Sequence, residues 1–230
     1  MFGATLKSLF NSGVRDLKNK FSKAGEGDDF PTPLGLRIGA AVDVDTLPLR
    51  MHADELHVEL PEETLIIVAQ GYVDLGDASH AHRYYTADDT MIQVLTVAGM
   101  EDQHVEELTL FVPYRSYYPD GDGAWAQWTS KGGKLGAPTF RLEDGTEFSR
   151  IWFDTTEGYA APVEFTESVY EDSDSDECSD VFHKVMLYGR NLEAGKKNEY
   201  LLVSAESYEG EQTVELMVGV DLGLSDLKVI

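Results

Sequence analysis

"MIQVLTVAGMEDQHVEELTLFVPY", residues 91–114, decides the fold. Two short apolar runs rich in β-branched residues flank a polar stretch that holds Gly99, Glu101 and Asp102. Runs of that length, bounded by turn residues, read as the two strands of a hairpin. Upstream, "ELHVEL" (55–60) alternates between faces and "TLIIVAQGYV" (64–73) is a buried apolar run. Downstream, "TFRLEDGTEFSRIWF" (139–153) places Asp144-Gly145 between two alternating runs, the strongest hairpin signal in the chain. The pattern continues through "VEFTESVY" (163–170), "FHKVMLYGR" (182–190), "EYLLVSAESY" (199–208) and "TVELMVGVDL" (213–222). The expected class is therefore mainly β: antiparallel sheets closed as a sandwich or a barrel, with a helix near 44–55 kept short by Pro48.

Sliding 91–112 onto 200–221 without gaps aligns Val94 with Val203, Gln103 with Gln212, Val105 with Val214 and Glu106 with Glu215. Two similar β halves, 35–118 and 139–230, would give this match, and so would any two amphipathic hairpins. Between them lies "PYRSYYPDGDGAWAQWTSKGGKLGAP" (113–138), whose rings and turn residues read as a long structured loop.

The 230 residues suffice for a full core without a disulfide or metal staple. The lone Cys178 and the absence of a secretory h-region point to a reducing cytoplasm, and no apolar run is long enough to span a bilayer as a helix. A net charge of −24 opposes a phosphate backbone, so nucleic acid is not an expected partner. That charge is unevenly spread. Residues 1–24 carry five bases against Asp16, a net of +4, and the remainder carries 13 bases against 41 acids, −28.

In the N-terminal stretch Phe2, Leu6, Leu9, Phe10, Val14, Leu17 and Phe21 recur at spacings of three and four, one face of a helix. Lys7, Arg15, Lys18 and Lys20 occupy much of the rest, and "GEGDDFPTP" opens a linker over 25–34. A basic amphipathic arm of this kind lies on an anionic membrane or docks on a protein partner, unless its apolar face packs on the acidic domain of its own chain. The contact residues expected are Phe2, Leu6, Lys7, Phe10, Arg15, Leu17, Lys18, Lys20 and Phe21.

Four further stretches invite a site. "EDSDSDECSD" (171–180) sets Asp172, Asp174 and Asp176 at the first, third and fifth places of a calcium loop. Glu177 then stands where that loop needs glycine and His183 where it needs glutamate, so a solvated hairpin loop fits better, with Cys178 poorly placed as a nucleophile. His80 and His82 share one face of an extended strand and are weak metal candidates, needing Asp77, Asp88 or His104 through space; two exposed loop histidines are the simpler expectation. Tyr117, Trp125 and Trp128, with Tyr114 and Tyr118 nearby, would line a pocket or fill the end of a β core. "DGDG" (120–123) is a turn. No nucleophile elbow, phosphate-cradling loop or paired CxxC occurs, so no catalytic residue is named and no cofactor is expected.

Read in order, "HRYYTADDTMIQVLTVAG", "PYRSYYP" and "EFSRIWF" resemble the YjfK-like family of uncharacterised bacterial proteins, over most of residues 35–225. The resemblance carries no known activity and no catalytic residues. It implies a membrane-stress or envelope setting, because such proteins are often encoded beside a phage-shock-type membrane-remodelling protein and an ATP-grasp ligase. The expected function is a non-enzymatic cytoplasmic binding or accessory protein, peripheral at the inner membrane through its arm. A metal- or small-molecule-binding enzyme with a pocket at the aromatic loop, and a subunit that self-assembles through strand edges, are the alternatives, and the oligomeric state stays open.

Overall fold

A computed structural model describes residues 32–50, 53–61, 64–153, 158–173, 177–192 and 197–230. The arm at 1–24, with the residues proposed as its contacts, lies outside the described residues. Strands are β1 (Ala41–Val44), β2 (Leu65–Gly76), β3 (Ser79–Thr86), β4 (Met91–Val97), β5 (Val105–Tyr117) and β6 (Thr139–Arg141) in the first part of the chain. They continue as β7 (Glu147–Arg150), β8 (Val163–Tyr170), β9 (Ser179–Asn191), β10 (Asn198–Tyr208), β11 (Glu211–Asp221) and β12 (Leu227–Val229).

Eight of them close a barrel in the order β2-β3-β4-β5-β11-β10-β9-β8, with β8 returning to β2. Every neighbouring pair is antiparallel. The ring is two four-stranded meanders, β2–β5 and β8–β11, joined where β5 meets β11 and β8 meets β2. Closure leaves flaps, because two barrel strands divide one edge between partners. β2 pairs with β1 at Leu65 and Ile66 and with β8 from Gln70 to Tyr72, while β9 pairs with β8 up to Val185 and with β7 at Tyr188 and Gly189. β12 extends the first flap and β6 the second.

The long runs of buried residues in β4, β9 and β10 show why these strands read as apolar rather than alternating: both faces are covered. One face fills the barrel. The other lies under the flaps, a single helical turn at Leu47–Arg50 and a helix at Gly121–Thr129, with Trp128, Phe148 and Trp152 in the outer core.

The stretch expected as a long loop therefore contains a helix. "AWAQW" after Gly123 supplies good helix formers, and Trp128 gives the turn an apolar anchor. The Asp144-Gly145 hairpin forms between β6 and β7 as expected. Leu142 N–H donates to the Thr146 carbonyl at 2.9 Å and Gly145 sits at φ 92°, the left-handed residue of a three-residue hairpin loop. Among the described residues no helix is long and apolar enough to cross a membrane.

Candidate functional site

Inside the barrel a charged network replaces part of the apolar filling. Arg83 (β3) donates to Glu167 Oε2 (β8) at 2.6 Å, and its Nε donates to Gln93 Oε1 (β4) at 3.1 Å. The Tyr85 hydroxyl donates to the other oxygen of Glu167 at 2.7 Å. His183 (β9) lies 3.0 Å from Glu167 through Nε2, and its Nδ1 lies 3.0 Å from Ser204 Oγ and 3.5 Å from Glu206, both on β10. Phe165 stacks on His183 at 5.1 Å and lies 5.1 Å from the Arg83 guanidinium. The members come from strands around the ring, so the face they share is the lumen.

Glu167 is fully buried and reaches Arg83 by crossing β2 at Gly71, where a Cβ would lie 1.7 Å from Oε1. Burial alone raises a carboxyl pKa. Here Arg83, His183 and Tyr85 outweigh it and hold Glu167 down at about 2. For His183 burial opposes the charged form, and its bonds to Glu167 and Glu206 more than restore it, so its pKa is raised. The line Ser204–His183–Glu167 has the order of a nucleophile, base and orienting acid. Ser204 is only 4% exposed, however, and Arg83 already neutralises the acid, so the constellation acts as a brace across the barrel.

A second buried carboxylate does similar work outside the barrel. Glu199 accepts from the His57 and Val58 backbone N–H groups at 2.5 and 3.0 Å and from Arg190 Nε at 2.8 Å, pinning the 53–61 segment to β10. His57 reaches on to Asp144 at 2.7 Å, tying that segment to the β6–β7 turn.

An exposed cleft lies where the second flap faces the end of β5. Its volume is about 240 Å³, and it is lined by Tyr114 and Tyr117 (β5), Trp128 (the helix), Phe140 (β6) and Leu216 (β11), with Lys134, Arg141 and Glu143 among its polar residues. Its rings form a ladder: Tyr117 to Trp128 at 5.1 Å, Trp128 to Phe140 at 6.4 Å, and Phe140 to Tyr188 at 5.6 Å. Lys134 Nζ rests 4.3 Å from the Trp128 ring, and an Arg115–Glu143 ion pair ties β5 to the end of the β6–β7 hairpin.

Of the aromatic residues expected from the sequence, Tyr114, Tyr117 and Trp128 line this cleft together. Trp125 packs against the core instead, and Tyr118 is exposed at 75%. Phe140, Lys134 and Arg141 were not expected at the site. Phe140 and Arg141 come from the edge hairpin and Lys134 from the turn after the helix, placements that spacing alone does not reveal. His80 and His82 do share a face, with ring centroids 6.3 Å apart, but on β3 and buried rather than in an exposed loop. Tyr72 takes His80 Nδ1 at 2.8 Å and Thr96 takes His82 Nε2 at 3.3 Å. Burial lowers both pKa values, that of His82 to about 4 with help from His80. Among the described residues no three or more potential ligands gather around a metal position, and His104 instead lies by Glu101 and the Val97 carbonyl. Residues 171–178 join β8 to β9, as a hairpin loop should; Cys178 is exposed, and Asp174 and Asp176 lie outside the described residues.

The fold and the site together define a closed antiparallel β-barrel with a charged brace in its lumen and an aromatic cleft on its outer wall. The chain belongs to the family described as "Protein of unknown function (DUF2491)", whose model matches residues 20–228. It is similar to the uncharacterised protein YjfK of Escherichia coli (strain K12), with 29% identity over 202 residues, which cover 86% of this chain and 90% of that protein. No solved structure matches it.

Proposed function

We propose that the chain is a non-enzymatic binding or accessory protein that holds its aromatic cleft rigidly on the outside of a braced barrel. The observation that carries this reading is the contrast between the two polar sites. In the lumen the charges are spent on one another, whereas Tyr117, Phe140 and Lys134 border an open cleft whose floor is the buried Trp128 ring. Rings beside a lysine suit an aryl or apolar group that carries a carboxylate. Titration of isotope-labelled protein with 4-hydroxyphenylacetate tests it: saturable shifts of the Trp128 indole and Tyr117 signals are expected, weakened by Lys134→Glu. No shift at either ring contradicts the reading.

The split of charge, +4 in residues 1–24 against −28 in the rest, favours a second element of the same function. The arm brings the barrel to an anionic membrane surface or an acidic protein partner, and the role proposed for it is envelope maintenance at the cytoplasmic side of the inner membrane. Flotation with phosphatidylglycerol-containing vesicles should carry the full chain and leave behind a chain lacking residues 1–24. Equal behaviour of the two rejects the lipid version.

A further inference from the structure

β6 is the last strand of its flap, and its register fixes which backbone groups are spent. Thr139, Phe140 and Arg141 stand opposite Ser149, Phe148 and Glu147. Arg150 N–H donates to the Pro138 carbonyl at 2.8 Å and Leu142 N–H to the Thr146 carbonyl at 2.9 Å, so Pro138, Phe140 and Leu142 turn their backbone towards β7. By the alternation of an antiparallel ladder, Thr139 and Arg141 turn their N–H and C=O groups to the open side. The pleat adds a second alternation. The Phe140 side chain points down onto Trp128 and Tyr188, and Thr139 and Arg141 are exposed.

The cleft borders this strand, because Thr139, Phe140 and Arg141 are part of its lining. A strand laid in it would satisfy the open groups of Thr139 and Arg141, and its residue opposite Phe140 would point inward toward Tyr117 and Trp128. The Arg115–Glu143 pair ties the far end of the hairpin to β5, which limits the added strand to a few residues. Charge selects among such strands. Lys134 forms no ion pair among the described residues, whereas Arg141 is paired with Glu147 at 2.8 Å and Glu143 with Arg115, so Lys134 is the cation the lining leaves uncompensated on a chain of net charge −24. Screening at physiological salt confines interactions to about 8 Å, so the unpaired Lys134 outweighs the distant acids at this spot.

We propose that the open edge of β6 binds an extended peptide segment of a partner protein by strand addition, with an apolar or aromatic side chain in the Tyr117–Trp128 cleft and a neighbouring carboxylate toward Lys134. This rests on the reading of the cleft as a binding surface and names its ligand class.

The test uses the full labelled chain and an acetylated, amidated octapeptide of alternating valine and glutamate with a central phenylalanine. Saturable shifts are expected at the Thr139 and Arg141 amides and at Trp128. A copy of the peptide N-methylated on the edge-facing nitrogens should bind at least tenfold more weakly. Thr139→Pro should weaken the parent peptide by a similar factor while leaving the barrel resonances in place, since that N–H does not bond to β7. Equal affinity of the two peptides, or of Thr139→Pro and the native chain, overturns strand addition. So do Thr139 and Arg141 shifts that depend on protein concentration alone, which would assign the edge to a second copy. If the peptide fails while 4-hydroxyphenylacetate still shifts Trp128, only the peptide inference falls; if both fail, the binding cleft falls with it.

Discussion

Burying a carboxylate inside a barrel is tolerated only where its charge is matched on the spot, and Glu167 meets that condition through Arg83, Tyr85 and His183. Removing one partner leaves an uncompensated charge. Arg83→Met should lower unfolding free energy by about 3–5 kcal/mol, and the double replacement with Glu167→Met should recover most of that, as read by urea denaturation. The network also sets a pH signature. Glu167 falls from 4.5 to about 2 on folding, so it contributes about 3 kcal/mol above pH 4.5, which is lost as pH falls toward 2. His183 has a folded pKa raised above 6.5, so its contribution is complete below pH 6.5 and disappears as pH rises through the raised value. The stability gap between the native chain and His183→Gln should therefore be widest below pH 6.5 and close above it, in melts recorded across pH 5–9. A gap that widens with pH contradicts the assignment of His183 as a buried cation.

At the scale of elements, the turn between β2 and β3 shows a strain that the sequence concealed. Gly76 pairs with Ser79, and the two residues between them, Asp77 and Ala78, both stand at positive φ, 51° and 56°. That is the hairpin turn for which Asn-Gly is the preferred filling, and alanine in the left-handed region costs about 1–2 kcal/mol. Ala78→Gly should raise stability by about 0.5–1 kcal/mol, a rise of a few degrees in thermal midpoint, since Ala78 is exposed. The same turn explains the misplaced histidines. Without an Asn-Gly or Asp-Gly signal, "GDASHAH" reads as loop, and the sequence pattern starts β3 after His80 and His82 rather than at Ser79. Where the turn chemistry is standard, as at Asp144-Gly145, the hairpin was legible, and the strands from β8 to β11 were legible as apolar runs. The helix at Gly121–Thr129 was hidden by the glycines that begin it and by tyrosines and prolines on its N-terminal side.

At the scale of the molecule, the class of fold was readable and its closure was not. Periodicity reports which residues are buried, but whether eight strands join as a barrel depends on β8 pairing with β2 about a hundred residues away, a contact that leaves no local mark. The charged lumen was equally silent. Arg83 and Glu167 each look like the polar residue of an alternating strand, and only closure turns them inward. Three of the cleft's rings, Tyr114, Tyr117 and Trp128, could be named in advance because aromatics cluster in 113–138, whereas Phe140 and Lys134 arrive through the edge hairpin and the turn after the helix. The outer cleft, and not the lumen, is the proposed seat of a ligand. The most direct measurement compares the Trp128 indole resonance with those of His183 and Tyr85 in one titration with 4-hydroxyphenylacetate. A saturable shift at Trp128 with the lumen signals unmoved is expected; movement at His183 and Tyr85 with Trp128 silent would overturn the proposal.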